Sequence, residues 1–153
     1  MWWKVVSERG EILFFGHNRH LIDPKGRIIL PAKYREGLGD KFFITRGLDP
    51  CLLVYPETEW KTFEEKIRAL PLSSGAKIQR FFFGNTDEAS CDKQGRVLVS
   101  ENLKGYAKLD KEIIILGVGN RLEIWDAATY DKDVESCADD ADIVAAQMEI
   151  LGI

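Results

Sequence analysis

The chain carries an internal duplication, and any fold for it must accommodate two copies of one plan. The stretch Asp23-Pro24-Lys25-Gly26-Arg27-Ile28-Ile29-Leu30 returns 69 residues later as Asp92-Lys93-Gln94-Gly95-Arg96-Val97-Leu98-Val99. Further on, Asp40-Lys41-Phe42-Phe43-Ile44 matches Asp110-Lys111-Glu112-Ile113-Ile114. Arg46-Gly47-Leu48 then matches Leu116-Gly117-Val118, and Leu52–Pro56 matches Leu122–Asp126. The offset there is 70, so one insertion separates the copies, and Trp60 still finds its counterpart in Tyr130.

Each copy has the same grammar. A strand (14–22 or 86–91) leads into a tight turn with Asp first and Gly fourth. Asp accepts backbone hydrogen bonds at the start of a turn, and Gly supplies positive φ at its end, so Asp23, Gly26, Asp92 and Gly95 are read as turn-formers. A β-branched strand follows (28–30 or 97–99). The next element is a short helix, opened by Pro31 at its first position or capped by Ser100, and ended by Gly37 or Gly105. A hairpin completes the copy, turning at Gly47-Leu48-Asp49-Pro50 or Gly117-Val118-Gly119-Asn120. Between the copies, 57–70 is an amphipathic helix carrying Trp60, Phe63, Ile67 and Leu70, stopped by Pro71. A second helix is expected over 74–84, burying Ile78, Phe81 and Phe82. The last helix is expected to run from 127 to 151. Its heptad seam of Tyr130, Val134, Cys137, Ala141, Val144, Met148 and Leu151 would pack on its own domain or on a neighbouring subunit.

A half with so few short strands leaves open edges and buries little. Two such halves can interleave about a pseudo-twofold axis into one core. The expectation is therefore α+β, with a small, mostly antiparallel barrel-like core and peripheral helices. The units are an extension at 1–12, a first repeat at 13–71, and a second repeat with the C-terminal helix at 72–153.

Composition excludes several classes. Hydrophobic residues are 45% and charged residues 30% of the 153, values of a globular protein rather than a disordered one. No apolar run approaches the roughly 18 residues of a membrane helix. The start is too short and too soon charged for a secretory signal. Cys51, Cys91 and Cys137 form no paired motif and read as free thiols of a cytoplasmic protein. Net charge is −4, but it is unevenly spread. Residues 17–46 hold seven basic against three acidic residues, whereas 131–153 hold seven acids against Lys132. A basic patch acts locally, within a Debye length of about 8–10 Å.

No nucleophile triad, phosphate loop or catalytic-cysteine context is present, and an enzyme is not expected. His17, His20 and Asp23 suggest a metal triad, but His17 and His20 would face opposite sides of a strand. Asp23 and Asp92 could be imagined as an acid–base pair, but two equivalent turn positions explain both. Neither metal nor cofactor is expected.

The paired Asp-x-x-x-Arg motifs at 23–27 and 92–96 resemble those of the MraZ family. So do Leu-Pro-Ala-Lys-Tyr-Arg (30–35), Thr-Arg-Gly-Leu-Asp (45–49), Val-Tyr-Pro (54–56), Arg-Phe-Phe-Phe (80–83) and Gly-Val-Gly-Asn-Arg-Leu-Glu-Ile-Trp-Asp (117–126). The resemblance covers roughly Phe14 to the C-terminus. It departs at Ser100, where the family usually has Pro, at Lys104, where Arg is common, and at Pro50, often Gly. The resemblance implies a duplicated AbrB-like double-split β-barrel. It further implies a bacterial, nucleoid-associated transcriptional regulator that assembles into closed rings. Such a ring would bind repeated boxes in double-stranded promoter DNA upstream of the division and cell-wall gene cluster.

On that reading, Arg27 and then Lys25 are the leading DNA contacts, with Arg19, Lys33 and Arg35 beside them in sequence. Arginine pairs with guanine edges, and lysine meets phosphate. The alternative for Arg27 is an ion pair to Asp23 that only fixes the turn. Lys93 and Arg96 could repeat the contact. The acids Asp87, Glu88 and Glu101 near them point instead to assembly and scaffolding for copy two. The alternative function is a protein-binding assembly module without specific DNA recognition.

Overall fold

Strand pairing passes from one copy to the other. The computed structural model describes residues 5–6, 12–135 and 140–153. The strands are β1 (Val5–Val6), β2 (Ile12–Leu13), β3 (His17–Leu21), β4 (Arg27–Ile29), β5 (Phe42–Arg46) and β6 (Leu52–Pro56), then β7 (Asp87–Ala89), β8 (Arg96–Leu98), β9 (Glu112–Gly117) and β10 (Leu122–Asp126). Six of them form one sheet in the order β3-β9-β10-β6-β5-β7, and β4 pairs with β8 in a separate ribbon. Strand β3 of copy one thus lies on β9 of copy two, and β7 of copy two lies on β5 of copy one. All these pairings are antiparallel. The N-terminal extension pairs β1 with β2.

Two pairings lie on the pseudo-twofold axis. In the ribbon, Arg27 faces Leu98, Ile28 faces Val97 and Ile29 faces Arg96. Ile28 and Val97 are equivalent positions of the duplication, so the ribbon pairs with its own image. The same holds between β6 and β10, where Leu53 faces Glu123.

Period-two alternation decides which side chains enter the core. Phe42 and Ile44, Leu52 and Val54, Ile113 and Ile115, Leu122 and Ile124 all join Ile28 and Val97 in one cluster drawn from both copies. Each such burial stabilises by about 1.5–3 kcal/mol. The opposite face of β9 and β10 presents Ile114 and Trp125, covered by Ala127 and Tyr130.

The helices are α1 (Ala32–Leu38), α2 (Glu57–Arg68), α3 (Leu72–Phe83), α4 (Glu101–Tyr106), α5 (Ala127–Tyr130) and α6 (Asp140–Leu151). Proline precedes each of the first three, at 31, 56 and 71. Ser100 caps α4 by accepting from the Leu103 amide, as expected. Trp60 of α2 stacks on Phe43, and Phe63 meets Tyr55 and Phe82.

Several boundaries differ from the sequence reading. Gly37 is buried inside the end of α1, and the left-handed C-terminal residue is Gly39, at φ 74°. Gly105 lies within α4, which closes through Ala107 and then Lys108 at φ 54°. Helix α3 starts at Leu72 and turns Gly75 and Gln79 toward α2, where Gln79 donates to the carbonyl of Ile67. That rotation leaves Ile78 exposed. The C-terminal helix is not one regular rod. After α5 comes a π-helical turn at Asp131–Glu135, and then α6. Of the expected seam, Cys137 and the Val134 side chain lie outside the described residues. Tyr130 is half-buried on Trp125, while Ala141, Val144, Met148 and Leu151 are exposed. Among the described residues, Cys51 and Cys91 are free thiols.

Because the core draws side chains from both copies, the repeats should unfold together. Ile28→Ala, at the centre of the ribbon, should cost about 2–5 kcal/mol in urea unfolding. Tryptophan fluorescence and far-UV circular dichroism should give coincident transitions in wild type and variant. Separate transitions for the two repeats would contradict the strand exchange.

Candidate nucleic-acid interface

The two turns are built identically. In the first, the Gly26 amide donates to the Asp23 carbonyl and the Asp23 amide to the Arg27 carbonyl. The Asp23 carboxylate accepts from the Lys25 and Arg27 amides at 2.9 and 2.8 Å. It also accepts from Arg27 Nε at 2.6 Å. In the second turn, Asp92 accepts from the Gln94 and Arg96 amides and from Arg96 Nε at 2.8 Å. The backbone N–H of Arg27 does most to hold the Asp23 carboxyl below its ordinary range, ahead of the guanidinium and the Lys25 amide. Asp92 is lowered in the same way by Arg96.

The ion pair expected between Arg27 and Asp23 is present. Its ion pair with Asp23 uses one of the five guanidinium donors, and the side chain stays about 34% exposed. The pair therefore aims the side chain without consuming it.

Each turn is completed by the other copy. The Val99 amide donates to the Gly26 carbonyl at 2.8 Å, and the Leu30 amide to the Gly95 carbonyl at 3.0 Å. Gly26 sits at φ +85°, with the Val99 carbonyl where a β-carbon would need to be. Gly95 sits at φ +79°, with the Arg35 guanidinium lying against it.

Strand exchange also redistributes the basic residues. Arg35 leaves its own copy and supports the second turn, with its Nε buried and without a hydrogen-bond partner. Its counterpart Lys104 lines a groove beside the first turn, together with Lys111. This groove has a volume of about 810 Å³ and also takes in Arg27 and Arg96, so both motif arginines face one space. Its acids are Asp23 and Asp110, and Leu21, Pro24 and Ile29 supply aliphatic surface. On the outer face of the ribbon, Ile29 and Leu98 are exposed between the two arginines.

The remaining candidates lie elsewhere. Arg19 on β3 is held by Glu112 at 2.8 Å and Asp131 at 2.7 Å. Lys33 lies over the Tyr34 ring, 4.8 Å from its centroid, and beside Gly16. Lys25 is exposed on the first turn. The structure thus brings Arg27 together with Arg96, Lys104 and Lys111, three residues of copy two. Lys104 and Lys111 carried no signal in sequence except their correspondence to Arg35 and Lys41. Among the described residues no cluster of His, Cys, Asp or Glu could hold a metal ion, and no helix is long and apolar enough to cross a membrane.

Two pseudo-symmetric halves that exchange strands around paired Asp-x-x-x-Arg turns make this a duplicated AbrB-like barrel. Comparison with known proteins narrows the class. The profile of the MraZ protein family, described as antitoxin-like, matches twice, at residues 13–79 and 82–148. The transcriptional regulator MraZ of Halothermothrix orenii is 46% identical over 143 residues, covering 92% of this chain and 100% of that protein. The transcriptional regulator MraZ of Clostridium acetobutylicum is 49% identical with the same coverage. That of Natranaerobius thermophilus is 52% identical over 121 residues, 78% of this chain and 85% of the relative. The chain belongs to the MraZ family.

Gly26→Ala and Gly95→Ala should each lose about 1–2 kcal/mol to the left-handed backbone. Gly26→Ala should be the worse in urea unfolding, because its β-carbon meets a fixed carbonyl while at Gly95 a side chain can move. Equal losses would place the strain elsewhere. The lowered Asp23 and Asp92 values stabilise the fold fully above the unfolded carboxyl value of about 3.9, and that contribution is lost as pH falls through the lower folded values. In a carboxyl ¹³C titration, Arg27→Ala should leave Asp23 lowered but by less, since the leading cause is a backbone amide. A return of Asp23 to its ordinary range would mean that the guanidinium alone sets it.

Proposed function

We infer that this protein is a DNA-binding transcriptional regulator that reads promoter DNA with its twin-turn ribbon. The observation that carries the reading is the convergence of Arg27, Arg96, Lys104 and Lys111 on one groove in a chain of net charge −4. Such local concentration of positive charge, against the average, is the electrostatic footprint of a nucleic-acid site. Arg27 and Arg96 are the base readers, each oriented by its own aspartate. Lys25, Lys104 and Lys111 neutralise phosphates. Arg35 positions the second turn from beneath. Arg19 and Lys33, engaged with acids and with a ring, are peripheral. Copy two, expected from sequence to be scaffold, on this reading supplies Arg96, Lys104 and Lys111.

One site of this size would bind weakly, since nonspecific affinities lie near 10⁻⁴–10⁻⁶ M. A ring of copies on repeated boxes would gain about 10²–10⁴ from effective concentration. Such boxes upstream of the division and cell-wall cluster are the proposed target, and the exposed α6 gives the chain a free surface for assembly. No catalytic step is part of this function.

The test is fluorescence anisotropy on the chain's own promoter DNA and on a scrambled duplex, across a salt series. The promoter should bind more tightly, and Arg27→Ala should weaken it by about 5–150-fold while the oligomer persists. Lys104→Gln with Lys111→Gln should flatten the logarithmic salt slope by about 2. Equal binding to both duplexes, unchanged by Arg27→Ala, would overturn the reading in favour of an assembly module.

A further inference from the structure

The outer face of the ribbon is a grid of arginines and aliphatics. Ile28 and Val97 are buried in the core, so period-two alternation turns Arg27, Ile29, Arg96 and Leu98 outward. The register sets Arg27 opposite Leu98 and Ile29 opposite Arg96, so the two residue types occupy opposite diagonals. Ile29 and Leu98 are 55% and 62% exposed. They are equivalent positions of the duplication. The copies differ within the turns, Pro24 against Lys93 and Lys25 against Gln94, yet both present an aliphatic side chain here. Phosphate and sugar contacts, made by charged and polar groups, give that pair nothing to do.

Dimensions and charge point to what the pair would meet. The major groove is about 12 Å wide and admits a two-stranded ribbon, and among the base edges displayed there thymine alone offers a methyl group. Arg27 and Ile29 stand two residues apart on β4, and Arg96 and Leu98 repeat that spacing on β8. Two residues of an antiparallel strand span about 6.8 Å. That matches two base-pair steps of about 3.4 Å each. The flanks of the ribbon differ in charge. Ile29 borders the groove of Lys104 and Lys111, whereas Leu98 borders a smaller one, of about 400 Å³, that includes Asp87 and Glu88. A phosphate backbone is drawn to the first flank and repelled from the second, which favours one orientation of the ribbon on the duplex.

We propose that Ile29 and Leu98 read thymine 5-methyl groups in the major groove, each within two base pairs of a guanine read by the arginine of its own strand. This rests on the DNA-binding reading above and adds to its specificity, because the recognised box must then combine guanine with thymine. Ile29, on the lysine-flanked side, makes the larger contribution.

The experiment is fluorescence anisotropy of the full chain on its own promoter duplex and on the same duplex with every thymidine replaced by deoxyuridine. The replacement removes the 5-methyl groups and leaves Watson–Crick pairing intact. Wild type should bind the deoxyuridine duplex at least about fourfold more weakly, the worth of one methyl withdrawn from water. Ile29→Ala/Leu98→Ala, at exposed positions, should bind the thymidine duplex more weakly by a similar factor and no longer distinguish the two. Ile29→Ala alone should lose more of the discrimination than Leu98→Ala alone. Ile29→Val keeps the β-branch and should retain it, which separates a lost methyl contact from a damaged ribbon. Wild-type binding that ignores the replacement would overturn the proposal. So would a double-alanine variant as sensitive as wild type, since the protein would then be reading the altered shape of the duplex. If promoter and scrambled duplexes bind equally, the DNA reading falls and the methyl reading with it. If Arg27→Ala weakens specific binding while deoxyuridine changes nothing, the methyl reading alone falls.

Discussion

The structure depends on the pairing of β4 with β8. These three-residue strands come from the two repeats and meet with Ile28 opposite Val97 on the pseudo-twofold axis. Neither repeat can bury its central residue without the other. The same pairing carries the exchanged bonds from Val99 to Gly26 and from Leu30 to Gly95, so each Asp-x-x-x-Arg turn is fixed by the strand that follows the opposite turn. The duplication gives one core with two equivalent turns rather than two weak domains.

This constraint explains the composition of the candidate site. Once the strands exchange, residues equivalent in sequence are delivered to opposite turns. Arg35 of the first repeat serves the second turn, and Lys104 of the second repeat serves the first. Summing charge along the chain therefore misjudges where charge gathers in space. The basic excess of residues 17–46 is real, but Arg19 spends it on Glu112 and Asp131, and Lys41 spends it on Glu57. The groove gains its extra lysines from the half that looked acidic.

What was legible in sequence follows the same division. The turns could be read because Asp at the first position and Gly at the fourth are local requirements. The hairpins, the Ser100 cap and the Trp60–Phe63–Ile67 face were legible for the same reason. The interleaved barrel followed from open edges and the repeat together. The failures were matters of tertiary context. Gly37 looked like a helix end, but it lies buried inside α1, and Gly39 takes the left-handed position instead. Ile78 looked like core, but α3 turns its small residue Gly75 toward Leu70. The 3-4 seam of the last helix was visible, whereas the π-helical turn at Asp131–Glu135 that separates α5 from α6 was not. No local pattern marks Lys104 and Lys111 as neighbours of Arg27, because only strand exchange makes them so.

The uneven charge has a further consequence on the proposed DNA reading. A chain of net −4 is repelled by DNA at long range, and groove lysines attract it only within a Debye length of about 8–10 Å. A duplex that engages one groove gains little against that repulsion. One that engages several grooves of an assembly at once gains a term for each, while the repulsion grows more slowly because distant charges are screened. Acidity outside the groove thus penalises single, random encounters more than multiple, spaced ones. The acidic last helix would then raise the contrast between repeated boxes and bulk DNA.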